Sequence, residues 1–327
     1  MPMEMTSPND AKALVKNLEH QIGRVVIGYE DKILDLLICL IADGHILIEG
    51  VPGIAKTTLS KAFAQTLQIN YGRIQFTQDL LPSDITGYNF YNQEAKRFEI
   101  KKGPIFTELL LADEINRAPP KTQSALLEAM QEKQVTIEGM TLPLHDVFFV
   151  IATLNPIETE GVYPLPEAQL DRFMLKTVFD YPSEEHEVDI LNLKSAEETP
   201  PDRILDRAQI LKLRSEVTKT YVHPSIIGYV RDIARETRKK EGVELGLSPR
   251  GAIHLMWVAR IHAYLSGRSY VIPDDVKAMA SKVINHRLIL SPELDLEGVT
   301  ASGITDSILS TVPVPKEDFG RESKAEE

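Results

Sequence analysis

Cysteine is almost absent from this 327-residue sequence: there is one, Cys39, inside the apolar stretch 36–41. A lone cysteine makes no internal disulfide, so a disulfide-stapled scaffold is excluded and a small core residue is expected. Long hydrophobic runs are lacking too. The longest, 33–42, is broken by Asp35 and is far short of the ~20 residues a membrane helix needs. The opening residues carry no basic stretch followed by an apolar one, so no signal peptide is expected and the cytoplasm is the expected compartment. Positive charge is in deficit, with a formal net charge of −12. That balance counts against a protein that coats nucleic acid, which needs a basic footprint, while leaving room for a local basic channel. The eight histidines are scattered. None is spaced with cysteine or carboxylate as zinc ligands are, and no Ser-His-Asp or Cys-His constellation stands out.

What is present begins with a glycine-rich loop. Gly50-Val51-Pro52-Gly53-Ile54-Ala55-Lys56-Thr57 follows directly on the apolar run Ile46-Leu47-Ile48. The order reads as buried strand, tight turn, helix start, which is the layout of a phosphate-binding loop. Glycines let the backbone curl with its N–H groups inward. The helix N-terminus adds partial positive charge, Lys56 adds a full one, and the Thr57 hydroxyl can ligate magnesium. The spacing departs from G-x-x-x-x-G-K-[ST] at Ala55, and an ordinary strand–loop–helix turn is the alternative reading of these residues alone. A second signature is Leu109-Leu110-Leu111-Ala112-Asp113-Glu114. Four apolar residues bury a strand whose end presents two carboxylates. Asp113 can hold magnesium, and Glu114 can polarise the water that attacks a γ-phosphate.

Helical spacing at 11–24 and 30–43 precedes the loop strand. Strand runs at 73–77, 109–112, 147–152 and 175–179 alternate with helix signals such as 120–132. Alternation of this kind predicts an α/β fold with a parallel sheet covered on both faces. After Tyr181-Pro182-Ser183 the pattern turns helical, at 184–194, 208–219, 224–239, 249–265 and 274–287, with proline and glycine at the breaks. The expected organisation is a nucleotide-binding αβα domain over 1–182, a small all-helical domain over 183–314, and a charged, mobile tail over 315–327. Two hairpins interrupt the first domain, at about 86–102 and about 134–145, the second turning at Glu138-Gly139.

The loop, Asp113-Glu114-Ile115-Asn116-Arg117, Leu126 to Met130, and Leu165 to Phe173 together resemble the MoxR family of AAA+ ATPases, over roughly residues 26–287. Ala55 fits that resemblance, because MoxR-like loops are similar to Gly-x-Pro-Gly-x-Ala-Lys-Thr. The resemblance implies an αβα P-loop sandwich followed by a helical lid, with ATP and Mg2+ as ligands. Ile27, Gly28, the loop residues 50–57 and Thr58 would hold the nucleotide, and Thr57 and Asp113 the metal. It also assigns roles that the residues alone leave open. Asn155 reads by itself as a turn residue before Pro156; the resemblance makes it the polar sensor beside the attacked phosphate. Arg172 reads as an ion-pair partner of Asp171 or Glu167; the resemblance makes it an arginine finger reaching the next subunit. Arg250 follows Ser248-Pro249 in a first helical turn, where a cation opposes the helix dipole and favours an anionic partner. The resemblance makes it a second sensor, reaching from the lid over the nucleotide.

A ring, most simply a hexamer, follows from a finger that acts in trans. The resemblance further implies chaperone-like remodelling or maturation of a client protein, with von Willebrand factor A domains or metal cofactors among such clients, and hairpins that face a central pore. A nucleic-acid translocase is the alternative. The acidic balance and the expected lack of a basic, aromatic-rich hairpin tip count against it, and Lys96-Arg97 and Lys101-Lys102 count for it. A non-hydrolysing scaffold is disfavoured by the presence of both carboxylates.

Overall fold

In the computed structural model, residues 7–157, 161–193, 200–317 and 319 are described. Five strands, β1 (Ile46–Gly50), β2 (Tyr71–Gln75), β3 (Leu109–Asp113), β4 (Phe149–Leu154) and β5 (Leu175–Phe179), form one sheet in the order β5-β1-β4-β3-β2. Every neighbouring pair is parallel. A parallel sheet must be covered on both faces, and alternate residues of each strand supply the two surfaces. Ile46 and Ile48 belong to one apolar cluster and Leu47 to the other; Leu109 and Leu111 divide from Leu110 in the same way. The first face is covered by α1 (Pro8–Gly23), α2 (Glu30–Ile41) and α3 (Lys56–Thr66), the second by α4 (Pro120–Glu132).

The rest of the chain is largely helical: α5 (Glu184–Leu193), α6 (Arg207–Val217), α7 (Pro224–Lys239), α8 (Pro249–Leu265), α9 (Pro273–Ile284) and α10 (Ala301–Thr311). Its core is continuous with the first face of the sheet. One buried polar contact fastens the two. Asp35 of α2 is fully buried, accepting from Thr177 on β5 at 3.0 Å and from Lys282 on α9 at 2.5 Å. A buried carboxylate needs such partners, because the desolvation of an unpaired charge exceeds what packing returns.

The structure departs from the sequence pattern in three places. Helix α10 was not marked, since Ser, Thr and Gly dilute its helical signal. It forms because Thr300 Oγ1 caps Gly303 N at 3.1 Å and Ile304, Thr305 and Ile308 are buried. Two short strand pairs, Val243–Leu245 with Ile289–Leu290 and Leu67–Gln68 with Leu205–Asp206, are too brief to show alternation. The third departure concerns the first hairpin, Gly87–Asn92 paired with Arg97–Lys102. Its surface is aromatic and basic after all: Tyr88, Phe90, Tyr91 and Phe98 are exposed, alongside Lys96, Arg97, Lys101 and Lys102. A two-stranded ribbon has no second layer, so its large side chains stay in solvent. The second hairpin, Gln134–Ile137 with Met140–Pro143, touches the first through Asn89 Nδ2 and Glu138 Oε2 at 3.2 Å. Most of the 315–327 tail lies outside the described residues.

His45, just before β1, gives a pH-dependent check on this core. Its Nδ1 accepts from Val150 N at 3.1 Å and its Nε2 faces the Met130 carbonyl at 3.2 Å, which together define the neutral Nε2–H tautomer. Burial pushes its pKa down from 6.5 to about 4. The folded value lies below the unfolded one, so this stability is complete above pH 6.5 and is lost as pH falls toward 4. The expected loss is about 3 kcal/mol. Urea unfolding at pH 7 and pH 4.5 should therefore show a smaller difference for His45→Gln than for the parent chain; equal differences would refute the assignment.

Candidate functional site

The loop after β1 leads straight into α3. Gly53 has φ 84° and Ala55 φ 61°, both left-handed. Glycine reaches that region freely, whereas alanine pays about 1–2 kcal/mol for it. Ala55 therefore keeps the backbone path of the usual glycine at a cost in strain. The turn aims the loop at a cleft of about 740 Å3, lined by Ile27, Pro52–Thr58, Asp113 and Glu114 among others. Gly28, Gly50 and Val51 flank that lining. Gly28 has φ 84° with His186 packed against it, and Gly50 leaves no room for a Cβ against Ile54 and the Phe179 carbonyl.

Lys56 donates to the carbonyl of Gly50 and, at 3.2 Å, to that of Leu154 at the end of β4. Thr57 Oγ1 lies 3.1 Å and 3.3 Å from the two carboxylate oxygens of Asp113. Asp113 also accepts from Thr153 Oγ1 at 2.7 Å and from Arg73 at 2.8 Å. Glu114 sits in the left-handed region, with its N–H donated to Thr153 Oγ1 at 2.9 Å. Strain of this sort persists where surrounding bonds over-determine it. Its carboxylate meets Gln75 Nε2 at 2.8 Å and Arg117 Nε at 3.1 Å. Asn155 is buried. Its Oδ1 accepts from Ile157 N at 3.3 Å, while its Nδ2 has no partner among the described residues. Val25, Tyr29, Tyr181, Ile190 and Leu191 also line the cleft, together with Glu187. Tyr29 stacks on Phe179 at 4.8 Å and donates to the Asp180 carbonyl at 3.1 Å.

Arg73, Gln75 and Thr153 were not picked out from the sequence. The signal was there in outline: Arg73 and Gln75 are alternate residues of one strand, so both face the same side, and Gln75 pairs in register with Asp113. Only the strand order revealed which carboxylates they meet.

Arg172 and Arg250 lie together, apart from the other candidate site residues. Neither lines the loop cleft. They share a second, smaller cleft of about 150 Å3 with Asp43, His45, Met130, Lys133, Met174 and His254. Arg172 donates to the Leu127 carbonyl of α4 at 2.8 Å, not to Asp171 or Glu167. Asp171 is taken by Arg287. Within this chain Arg250 therefore does not line the loop cleft, for a topological reason. His45 and Met174 precede β1 and β5, so this cleft lies at the N-terminal edge of the parallel sheet. The loop opens at the C-terminal edge, one strand length away, roughly 16 Å. Arg287 links the first turns of α8, through His254, to the carbonyls of Phe173 and Met174 on the segment leading into β5.

Known proteins match this arrangement. Residues 45–175 match the ATPase family associated with various cellular activities (AAA), and residues 235–308 the AAA lid domain. YeaC of Bacillus subtilis is 47% identical, over 92% of this chain and 95% of its own. Chaperone MoxR1 of Mycobacterium tuberculosis is 40% identical, over 96% of this chain and 88% of its own. Protein MoxR of Paracoccus denitrificans is 31% identical, over 94% and 98%. A crystal structure from Cytophaga hutchinsonii superposes with a TM-score of 0.87 at 41% identity, covering 94% of this chain and 97% of that one. With AAA and lid segments falling on the two parts of the fold, and this similarity to MoxR proteins along nearly the whole chain, the protein belongs to the MoxR family of AAA+ ATPases.

Proposed function

We propose that this chain hydrolyses ATP with Mg2+ and uses the energy to remodel or mature a client protein. The observation that carries the reading is the convergence of Lys56, Thr57, Asp113 and Glu114 on one cleft that is also lined by apolar side chains such as Val25, Ile190 and Leu191. In this reading the loop N–H groups and Lys56 hold the phosphates, and those apolar side chains receive the base. Glu114 takes a proton from the attacking water, and Asn155 turns its unpaired amide toward that water or the γ-phosphate. The Thr57 hydroxyl and the Asp113 carboxylate are hard oxygen donors, as Mg2+ requires. Among the described residues no cluster of His, Cys, Asp and Glu could hold a metal unaided. A cation here would draw its remaining ligands from phosphate and water, a habit of Mg2+, whose charge would neutralise the developing phosphate oxygens. The division near residue 182, with 183–314 closing over the base, is part of the same proposal.

The strand-length separation of Arg172 and Arg250 from the loop supports a role for both in trans. Two cations at the N-terminal edge cannot serve the phosphate at the C-terminal edge of the same sheet. Subunits in a head-to-tail ring, which we take to be a hexamer, would bring one edge to the other. The name of the Mycobacterium relative, a chaperone, supports the remodelling role. A client with a von Willebrand factor A domain or a metal cofactor remains part of this reading. Among the described residues no helix is long and apolar enough to cross a membrane.

The exposed aromatic and basic side chains of the first hairpin favour one second reading, a nucleic-acid motor. One assay separates the two. ATP turnover should be measurable and absent in Lys56→Ala, which also loses tight binding of a fluorescent ATP analogue. Single- or double-stranded DNA at low salt should change the rate less than about twofold. Strong, salt-sensitive stimulation would favour the motor, and turnover by Lys56→Ala equal to the parent would remove the proposed site.

A further inference from the structure

Arg287 ends in a guanidinium yet is only 6% exposed. It closes the turn after α9 and turns most of its donors toward one stretch of chain, 171–174. Nε donates to Asp171 Oδ1 at 2.7 Å. Nη2 donates to the carbonyls of Phe173 at 2.7 Å and Asp171 at 3.3 Å. Nη1 donates to those of Val283 at 2.5 Å and Met174 at 3.3 Å. Nη2 also meets His254 Nδ1 at 3.1 Å, one turn along α8 from Arg250. Burial, then Arg287 and Arg250, hold His254 down to about 4, so it is a neutral acceptor near pH 7. Gly251 lets the first turn of α8 come close: a Cβ there would lie 3.1 Å from the Arg287 stem. One side chain thus grips the residues on both sides of Arg172 and the helical turn that carries Arg250. None of its partners lines the loop cleft.

We infer that Arg287 is a positioning residue for the arginine pair, holding Arg172 and Arg250 at a set spacing so that the helical part of one subunit governs hydrolysis in the next. This rests on the proposed action of Arg172 in trans. The chemistry needs arginine here. Lysine keeps the charge but cannot fork between a carboxylate and several carbonyls. A buried guanidinium could instead serve stability alone, and the two roles differ in which subunit's active site suffers.

The test uses the full chain in mixed assemblies. Arg287→Lys should bind ATP as the parent does yet turn over about tenfold to a hundredfold more slowly, the scale of a displaced catalytic group. Its defect lies in what it lends to its neighbour. Mixed with Lys56→Ala it should regain turnover, because the Lys56 variant lends an intact pair to an intact loop. Mixed with Arg172→Ala it should regain none, since both fail as lenders. Asp171→Asn should fall in the same class with a milder loss. It leaves the carbonyl contacts in place at a partly exposed position, so it carries the test if Arg287→Lys melts. Recovery of either variant with Arg172→Ala, or full turnover by folded Arg287→Lys, overturns the inference. Failure of Arg172→Ala to recover with Lys56→Ala in assemblies shown to be mixed overturns the trans reading itself, a separate result.

Discussion

Arg172→Ala should bind ATP normally and turn it over about 10³–10⁵-fold more slowly, the range for an arginine supplied in trans to a phosphoryl-transfer site. The loop of that variant is untouched, and the cleft holding Arg172 lies at the other edge of the sheet. Lys56→Ala should be inactive for the opposite reason, having lost the full charge of the loop while keeping its arginine. Mixing the two inactive proteins should restore turnover at junctions where a Lys56 variant faces an intact loop. The measurement is steady-state phosphate release against mixing ratio, with exchange of subunits checked by a fluorescent label. No recovery in mixed assemblies would place Arg172 outside the reaction. The Leu127 carbonyl that Arg172 holds at 2.8 Å adds a detail: it engages Nη1, one of the two terminal nitrogens of the guanidinium, and a move of the whole head toward a phosphate gives up that one bond. A hydrogen bond of that kind is worth about 1.5–3 kcal/mol, an amount that contact with a phosphate can exceed.

Glu114→Gln should produce the second large effect. An amide keeps the size of the carboxylate and can still accept from Gln75 and Arg117, so folding and ATP affinity should be unchanged. It cannot take a proton from water. Loss of a general base costs about 10²–10⁴ in rate. Rapid-quench measurement of a single turnover should find bound ATP persisting where the parent chain yields ADP. Parental turnover in this variant would exclude Glu114 as the base, leaving Asp113 and its contacts as a purely metal-binding arrangement.

How much of this was legible depended on whether the information was local. Helices 120–132, 224–239 and 249–265 were readable to the residue, because each opens on a proline at its first turn and carries an apolar stripe. The five strands of the parallel sheet were readable within two residues. Lys56, Thr57, Asp113 and Glu114 were readable because a phosphate loop and an acidic strand end are contiguous motifs, each written in fewer than ten residues. Helix α10 was not, since Ser and Thr conceal a helix that the Thr300 cap and the burial of Ile304 and Ile308 stabilise. The exposure of the hairpin aromatics was not either. Alternation tells which side chains share a face, and only the layers around a ribbon tell whether that face is covered.

The sequence by itself therefore determined which motif residues meet at the loop cleft and the family to which the chain belongs. Tertiary structure decided which residues gather around that chemistry. Arg73 and Gln75 meet Asp113 and Glu114 only because β2 lies beside β3 at the edge of the sheet. Arg172 and Arg250, 78 residues apart, share a cleft where Arg287 joins the helical turn of His254 to the segment entering β5. The reason is physical. Motif spacing encodes contacts made within a turn or two of chain, where the backbone itself fixes the geometry. In a parallel sheet the order of strands, not their sequence, sets which ends are neighbours, and that order is chosen by burying both faces at once.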